Sequence, residues 1–170
     1  MQYTTTHVFF RLIFVALLLV LGTACSKKSA QDPAAYQTGL DAYAKGNFPL
    51  ALEKFRPLAE QGNALAQFNM GVMYRQGQGV PQDDKQAIAW WSKAAEQGHV
   101  EAMDNLGLRY GRGQGVAQDW VQAYKWFSLA AAAGNQTAMG NKRVAETKMT
   151  PQQVAQAQDL VQAWQTKHKK

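Results

Sequence analysis

The chain has 170 residues, with 18 Lys and Arg against 12 Asp and Glu and a single Cys. That length allows one compact domain with short extensions, and one Cys excludes an intramolecular disulfide framework. The positive excess lies in the flanks: residues 32–134 hold 9 basic and 10 acidic residues, whereas residues 135–170 hold 6 basic and 2 acidic. No basic stripe follows the middle of the chain, so nucleic acid is not an expected partner.

Residues 1–24 read as a signal peptide of the lipoprotein type. The run VFFRLIFVALLLVL over 8–21 is apolar apart from Arg11. It falls short of the roughly 20 residues of a membrane span and fits the apolar region of a secretory signal. It ends in Leu-Gly-Thr-Ala-Cys25, which resembles a bacterial lipobox, although Gly22 stands where Leu is usual. The resemblance implies acylation of Cys25, a membrane anchor and a domain facing the periplasm. Ser26, where an inner-membrane retention signal has Asp, favours the outer membrane.

Residues 25–33 form a polar tether, in which Lys27 and Lys28 would lie near anionic headgroups. Asp32 and Pro33 predict a helix start, with the carboxylate as N-cap and the proline in the first turn. Residues 34–62 then read as a helical hairpin. Gly39, Tyr43, Gly46-Asn-Phe48, Ala51, Phe55 and Gly62 follow a tetratricopeptide-like pattern with a short loop. Pro57 predicts a kink in the second helix.

Two copies of a 36-residue unit follow, at 63–98 and 99–134. Ala66 returns as Ala102, Asn69 as Asn105, Gly71 as Gly107, Tyr74 as Tyr110, Asp83 as Asp119 and Trp90 as Trp126. A fixed period of this length marks stacked repeats. Ala66, Met70 and Tyr74, spaced i, i+4, i+8, mark one helical face as core. Gly71 lies beside that face. Glycine costs about 1 kcal/mol inside a helix, so its return at Gly107 predicts close backbone approach by a neighbouring helix. Gly77-Gln-Gly-Val-Pro81 breaks the helix, and Asp83 caps the next. That second helix carries Ala87, Trp90, Trp91, Ala94 and Ala95 and stops at Gly98. His99 reads as a turn or cap residue, and the recurring Trp and Tyr read as core. One hairpin cannot bury its apolar stripe alone, but a stack can. The expected fold class is therefore all-α, an α/α solenoid of stacked helix–turn–helix repeats with a C-terminal capping helix.

The two units, ALAQFNMGVMYRQGQGVPQDDKQAIAWWSKAAEQG and VEAMDNLGLRYGRGQGVAQDWVQAYKWFSLAAAAG, resemble the Sel-like repeat family, a subclass of tetratricopeptide-like repeats. The second departs at Val100, where the pattern has Ala. The resemblance implies a right-handed stack whose first helices line a concave face. It implies little about chemistry, because a fold does not fix a function.

Residues 135–170 hold a partial repeat, a capping helix and a basic tail. Ala138 and Asn141 keep the phase, but Arg143 stands where the repeat has glycine. Thr150-Pro-Gln-Gln153 is a capping-box pattern that opens a helix from Pro151 to about Thr166. Val154, Ala157, Leu160, Val161 and Trp164 form its apolar stripe. Lys167 to Lys170 read as a frayed tail serving solubility.

No chemistry stands out. The three histidines are scattered, no carboxylates cluster, and no nucleophile has a base at a meaningful spacing. No metal, cofactor or catalytic residue is expected. An envelope hydrolase acting on cell wall or β-lactams is the alternative, and it lacks a catalytic constellation. The sharper feature is a ladder, Asn69, Asn105 and Asn141, spaced 36 residues apart. With Leu65, Val72, Glu101 and Leu108 it falls on the side of the first helices away from Ala66, Met70 and Tyr74. Asp104 and Arg109 replace Phe68 and Met73 and make the second unit's surface more charged. These residues form the candidate surface for a protein or peptide partner. An amide can bond both N–H and C=O of an extended chain. The competing reading gives the ladder to packing between helices. The expected function is a lipid-anchored envelope adaptor or regulator.

Overall fold

The computed structural model describes residues 32–169. The signal segment, Cys25 and the tether as far as residue 31 lie outside the described residues. The described residues form helices without a strand: α1 (Pro33–Ala44), α2 (Phe48–Glu60), α3 (Ala64–Gln76), α4 (Asp84–Ala95), α5 (Val100–Arg112), α6 (Trp120–Ala132), α7 (Gln136–Glu146) and α8 (Pro151–His168). The fold is a solenoid of helical repeats.

Each helix begins at a side chain that accepts a hydrogen bond from its first turn. Asp32, Asn47, Asn63, Asp83, His99, Asp119, Asn135 and Thr150 serve in turn. These acceptors satisfy amide hydrogens that have no partner inside the helix. The chain leaves α3 and α5 through left-handed glycines, Gly77 at φ 67° and Gly113 at φ 65°. Both open the long loops to α4 and α6. At α8, Thr150 and Gln153 complete a reciprocal capping box. Helix α2 continues past Pro57 to Glu60.

The helices pair as α1/α2, α3/α4 and α5/α6, and each pair is closed by a ring on a glycine. A Cβ at Gly71 would sit 2.5 Å from Cδ1 of Trp91, one at Gly107 2.5 Å from Phe127, and one at Gly39 2.6 Å from Phe55. The close approach expected at Gly71 therefore exists. Its partner is the aromatic side chain of the second helix in the same hairpin, not a neighbouring backbone. Trp91 also donates its indole N–H to the Phe68 carbonyl at 3.2 Å.

The fourth pair departs from this rule. Arg143 replaces the glycine, and α8 packs against α6 rather than closing on α7. The buried apolar residues fall into two clusters. One spans α1 to α4 around Phe55, Met70 and Met73, and the other runs from Trp91 through Leu106, Tyr124 and Phe127 to Ala157.

The expected frayed tail is absent from the described residues. Helix α8 runs to His168, whose ring stacks on Trp164 at 4.0 Å between centroids. Lys167 Nζ lies 3.1 Å, and His168 Nε2 3.6 Å, from Glu96 Oε2 at the end of α4. The i, i+4 spacing of Trp164 and His168 places them on one helical face, and Glu96 gives the basic end a partner.

Candidate interaction surface

The first helices α1, α3, α5 and α7 form a row, and the asparagine ladder lies along it. Asn69 Nδ2 donates to the Tyr36 hydroxyl of α1 at 2.8 Å and to the Leu65 carbonyl at 3.0 Å. Asn141 Nδ2 donates to Asp104 Oδ1 of α5 at 3.4 Å. The bonds to Tyr36 and Asp104 each join one first helix to the one before it, and the bond to Leu65 stays within α3. Asn105 is half-buried, and its side chain has no hydrogen-bond partner among the described residues.

The difference follows from one position in the repeat. The residue that meets the asparagine from the preceding unit is Tyr36 for Asn69 and Asp104 for Asn141. The matching residue for Asn105 is Phe68, whose ring offers no acceptor. Phe68 instead stacks on His99, with centroids 4.6 Å apart. Tyr36 is not legible in the sequence as part of the ladder, because the short α1–α2 loop hides its register with Phe68 and Asp104.

The other candidate residues separate by burial. Leu65 is 49 % exposed and Glu101 is exposed. Val72 and Leu108 are half-buried and pack against the C-terminal cluster. Burial raises the Asp104 carboxyl above its ordinary range, and the bond from Asn141 offsets part of that rise. Burial likewise raises the Tyr36 phenol, with the Asn69 bond acting against it.

Arg109 corrects the expectation of a surface charge. It is 4 % exposed, because Met73 and Arg109 fall on the buried side of α3 and α5. Its Nη1 donates to Gln114 Oε1 at 2.6 Å and lies 4.0 Å from Asp84 Oδ1. Desolvation and the neighbouring Arg75 lower its pKa, while Asp84 acts in the opposite direction. Arg109 is a packing residue.

His99 caps α5, with Nδ1 accepting from the Ala102 amide at 3.4 Å. The same Nδ1 lies 3.3 Å from Glu101 Oε2. The two contacts need opposite protonation states, since a ring nitrogen that accepts carries no hydrogen. Desolvation lowers the His99 pKa, and Glu101 partly counters it. The neutral, capping form is therefore the one favoured near neutral pH. Among the described residues no group of three or more His, Cys, Asp or Glu is placed to hold a metal ion. No described helix is long and apolar enough to cross a membrane. Cys25 lies outside the described residues.

In sequence, residues 64–99 and 100–135 each match the Sel1 repeat. The fold is similar to that of a protective antigen present in uropathogenic Escherichia coli strains, which displays an SLR fold. That similarity has a TM-score of 0.76 and 37 % identity, covering 84 % of this chain and 32 % of the antigen. It is also similar to a Sel1 repeat protein from Oxalobacter formigenes, with a TM-score of 0.61 and 34 % identity over 63 % of this chain and 44 % of the other. The chain thus spans less than half the length of either. No curated protein matches it in sequence. Sel1 repeats are in general scaffolds for protein interaction and typically non-catalytic.

Proposed function

We propose that this protein is a lipid-anchored envelope adaptor that holds a protein or peptide partner along its row of first helices. In this reading Cys25 is the acylated residue, the repeats face the periplasm, and the outer membrane is the anchor. The address is supported by the apolar segment 8–21 and by the small residues before Cys25. The interaction reading is carried by the unbonded amide of Asn105, in a ladder whose other two members bond to their neighbours. A free carboxamide offers donors and an acceptor to the main chain of an extended segment. Exposed Leu65 supplies an apolar contact, and Glu101 with Asp104 supplies negative charge for selectivity.

A photo-reactive residue at Asn105, in cells making the full chain, tests this. The same probe at exposed Lys85 on α4 is the control. A discrete adduct from Asn105 alone supports the reading, and equal labelling from both positions, or none, overturns it. The anchor is tested separately. Cys25→Ala is expected to release the protein from the membrane fraction, and unchanged fractionation rejects acylation there.

A further inference from the structure

The displaced last helix creates a second site. Because α8 leaves α7 and lies along α6, a cleft of about 360 Å³ opens among the three helices. This volume falls in the range of small-ligand sites. One wall is a face of α8, where Gln158, Gln162 and Gln165 follow at i, i+4 and i+7. Opposite stand Tyr124 and Ser128 of α6 and Lys142 of α7.

Three observations define its chemistry. Among the described residues, Lys142 and Lys169 line the cleft, no carboxylate does, and neither lysine has an ion pair. The Ser128 hydroxyl is buried without a hydrogen-bond partner, although a helical serine ordinarily bonds the carbonyl four residues back. Such an atom calls for an explanation. The three glutamines offer donors and acceptors in alternation along the wall. A bare inorganic anion would use the lysines and leave the amides idle.

We infer that this cleft binds a short peptide segment ending in a free carboxylate. Lys142 and Lys169 take the carboxylate, the glutamine amides take the backbone, and the Ser128 hydroxyl takes one further polar group. Tyr124 forms the apolar floor and carries Lys142 Nζ 5.3 Å above its ring. The cleft shares only Lys142 of α7 with the first-helix row, includes none of the candidate residues there, and goes beyond the adaptor reading. The row can fail its crosslinking test while the cleft passes its own.

The test is NMR titration of the full chain at millimolar ligand with N-acetyl-trialanine, first as free acid and then as C-terminal amide. Inorganic phosphate is the third arm. The expected result is shifts confined to α8 and to residues around Ser128 and Lys142 with the free acid. Amidation is expected to weaken binding by about tenfold, the size of one charge-assisted hydrogen bond. The double variant Lys142→Gln/Lys169→Gln should abolish the shifts while keeping the circular dichroism of the parent. Ser128→Ala should weaken them with the fold intact. Shifts of equal size with phosphate, equal response to acid and amide, or no shift at all would overturn the proposal.

Discussion

The two central repeats solve the same packing problem with different chemistry. In the first, Met73 is fully buried in an apolar cluster against which Phe48 packs at the start of α2. In the second, the same place holds Arg109, and Asp84 stands where Phe48 stood. The glycine loops keep their position throughout. A Cβ at Gly79 would meet Leu52 at 2.8 Å and Phe48 at 3.0 Å, and one at Gly115 would meet Asp84 at 2.6 Å. Backbone geometry is thus copied from repeat to repeat, while the pair beneath each loop is free to be apolar or ionic. Reciprocal exchange separates these solutions. Met73→Arg puts a guanidinium into an apolar cluster with no acid opposite. It should destabilise by about 3–5 kcal/mol, as an uncompensated buried charge does. Arg109→Met should change stability by about 1 kcal/mol or less. It removes the cost of burying the guanidinium, and Asp84 keeps a favourable place in the first turn of α4. Urea unfolding followed by circular dichroism measures both, and similar losses would show that the two interfaces are not alternatives.

A second contrast lies in the ring that closes each hairpin. Trp91 fills the space over Gly71 and bonds the Phe68 carbonyl, whereas Phe127 fills the space over Gly107 with no such bond. Trp91→Phe copies the second repeat into the first. It should cost about 1–3 kcal/mol, from lost volume and from the loss of the indole hydrogen bond. A cost near zero would mean that the indole bond contributes nothing and the ring acts by filling space alone.

These contrasts also mark what the sequence could disclose. The repeat, the helix pairs and the caps were legible because each is periodic or local: Asp83 and Asp119 recur, and Thr150 and Gln153 lie within one turn. Arg109 reads as exposed in the sequence because it is charged, although the helical phase that buries Met73 also buries its counterpart. The acceptor missing at Asn105 follows from a single letter, Phe68 between Tyr36 and Asp104, and becomes readable only once each asparagine is known to face the preceding unit. The cleft was not legible at all. It depends on where α8 lies, and that is a property of three helices packed together. The substitution of Arg143 for glycine was visible in the sequence, but the course of the last helix was not.

The missing acceptor can be supplied. Phe68→Tyr gives Asn105 the hydroxyl that Tyr36 gives Asn69. It should raise stability by about 1 kcal/mol, the net worth of an ordinary hydrogen bond. The same change should reduce partner labelling from a probe at exposed Glu101, because the amide is then occupied. A gain in stability with unchanged labelling would detach Asn105 from binding and leave it a packing residue.

The smallest difference is at the caps. Asn63 accepts from the Ala66 amide at 2.9 Å, and His99 in the next repeat accepts from Ala102 at 3.4 Å. Only the second cap titrates. His99 has a folded-state pKa below its ordinary value, so the unfolded chain takes up its proton first as pH falls. The contribution is therefore complete above the ordinary histidine value of about 6.5 and is lost as pH falls through the lower, folded value. Protonation also converts Nδ1 from an acceptor to a donor, which turns it from Ala102 toward Glu101. His99→Asn imports the cap of the first repeat. It should change stability at neutral pH by less than about 1 kcal/mol, since a better cap offsets the lost stack on Phe68. Its distinguishing effect is on slope. Melting temperatures of the parent should fall between about pH 7 and pH 5, and those of the variant should fall less. At lower pH the raised Asp104 carboxyl acts with the opposite sign, because the folded chain takes up that proton before the unfolded one. Parallel curves for parent and variant would show that His99 stays capped in both protonation states, and the two repeats would then share one cap chemistry.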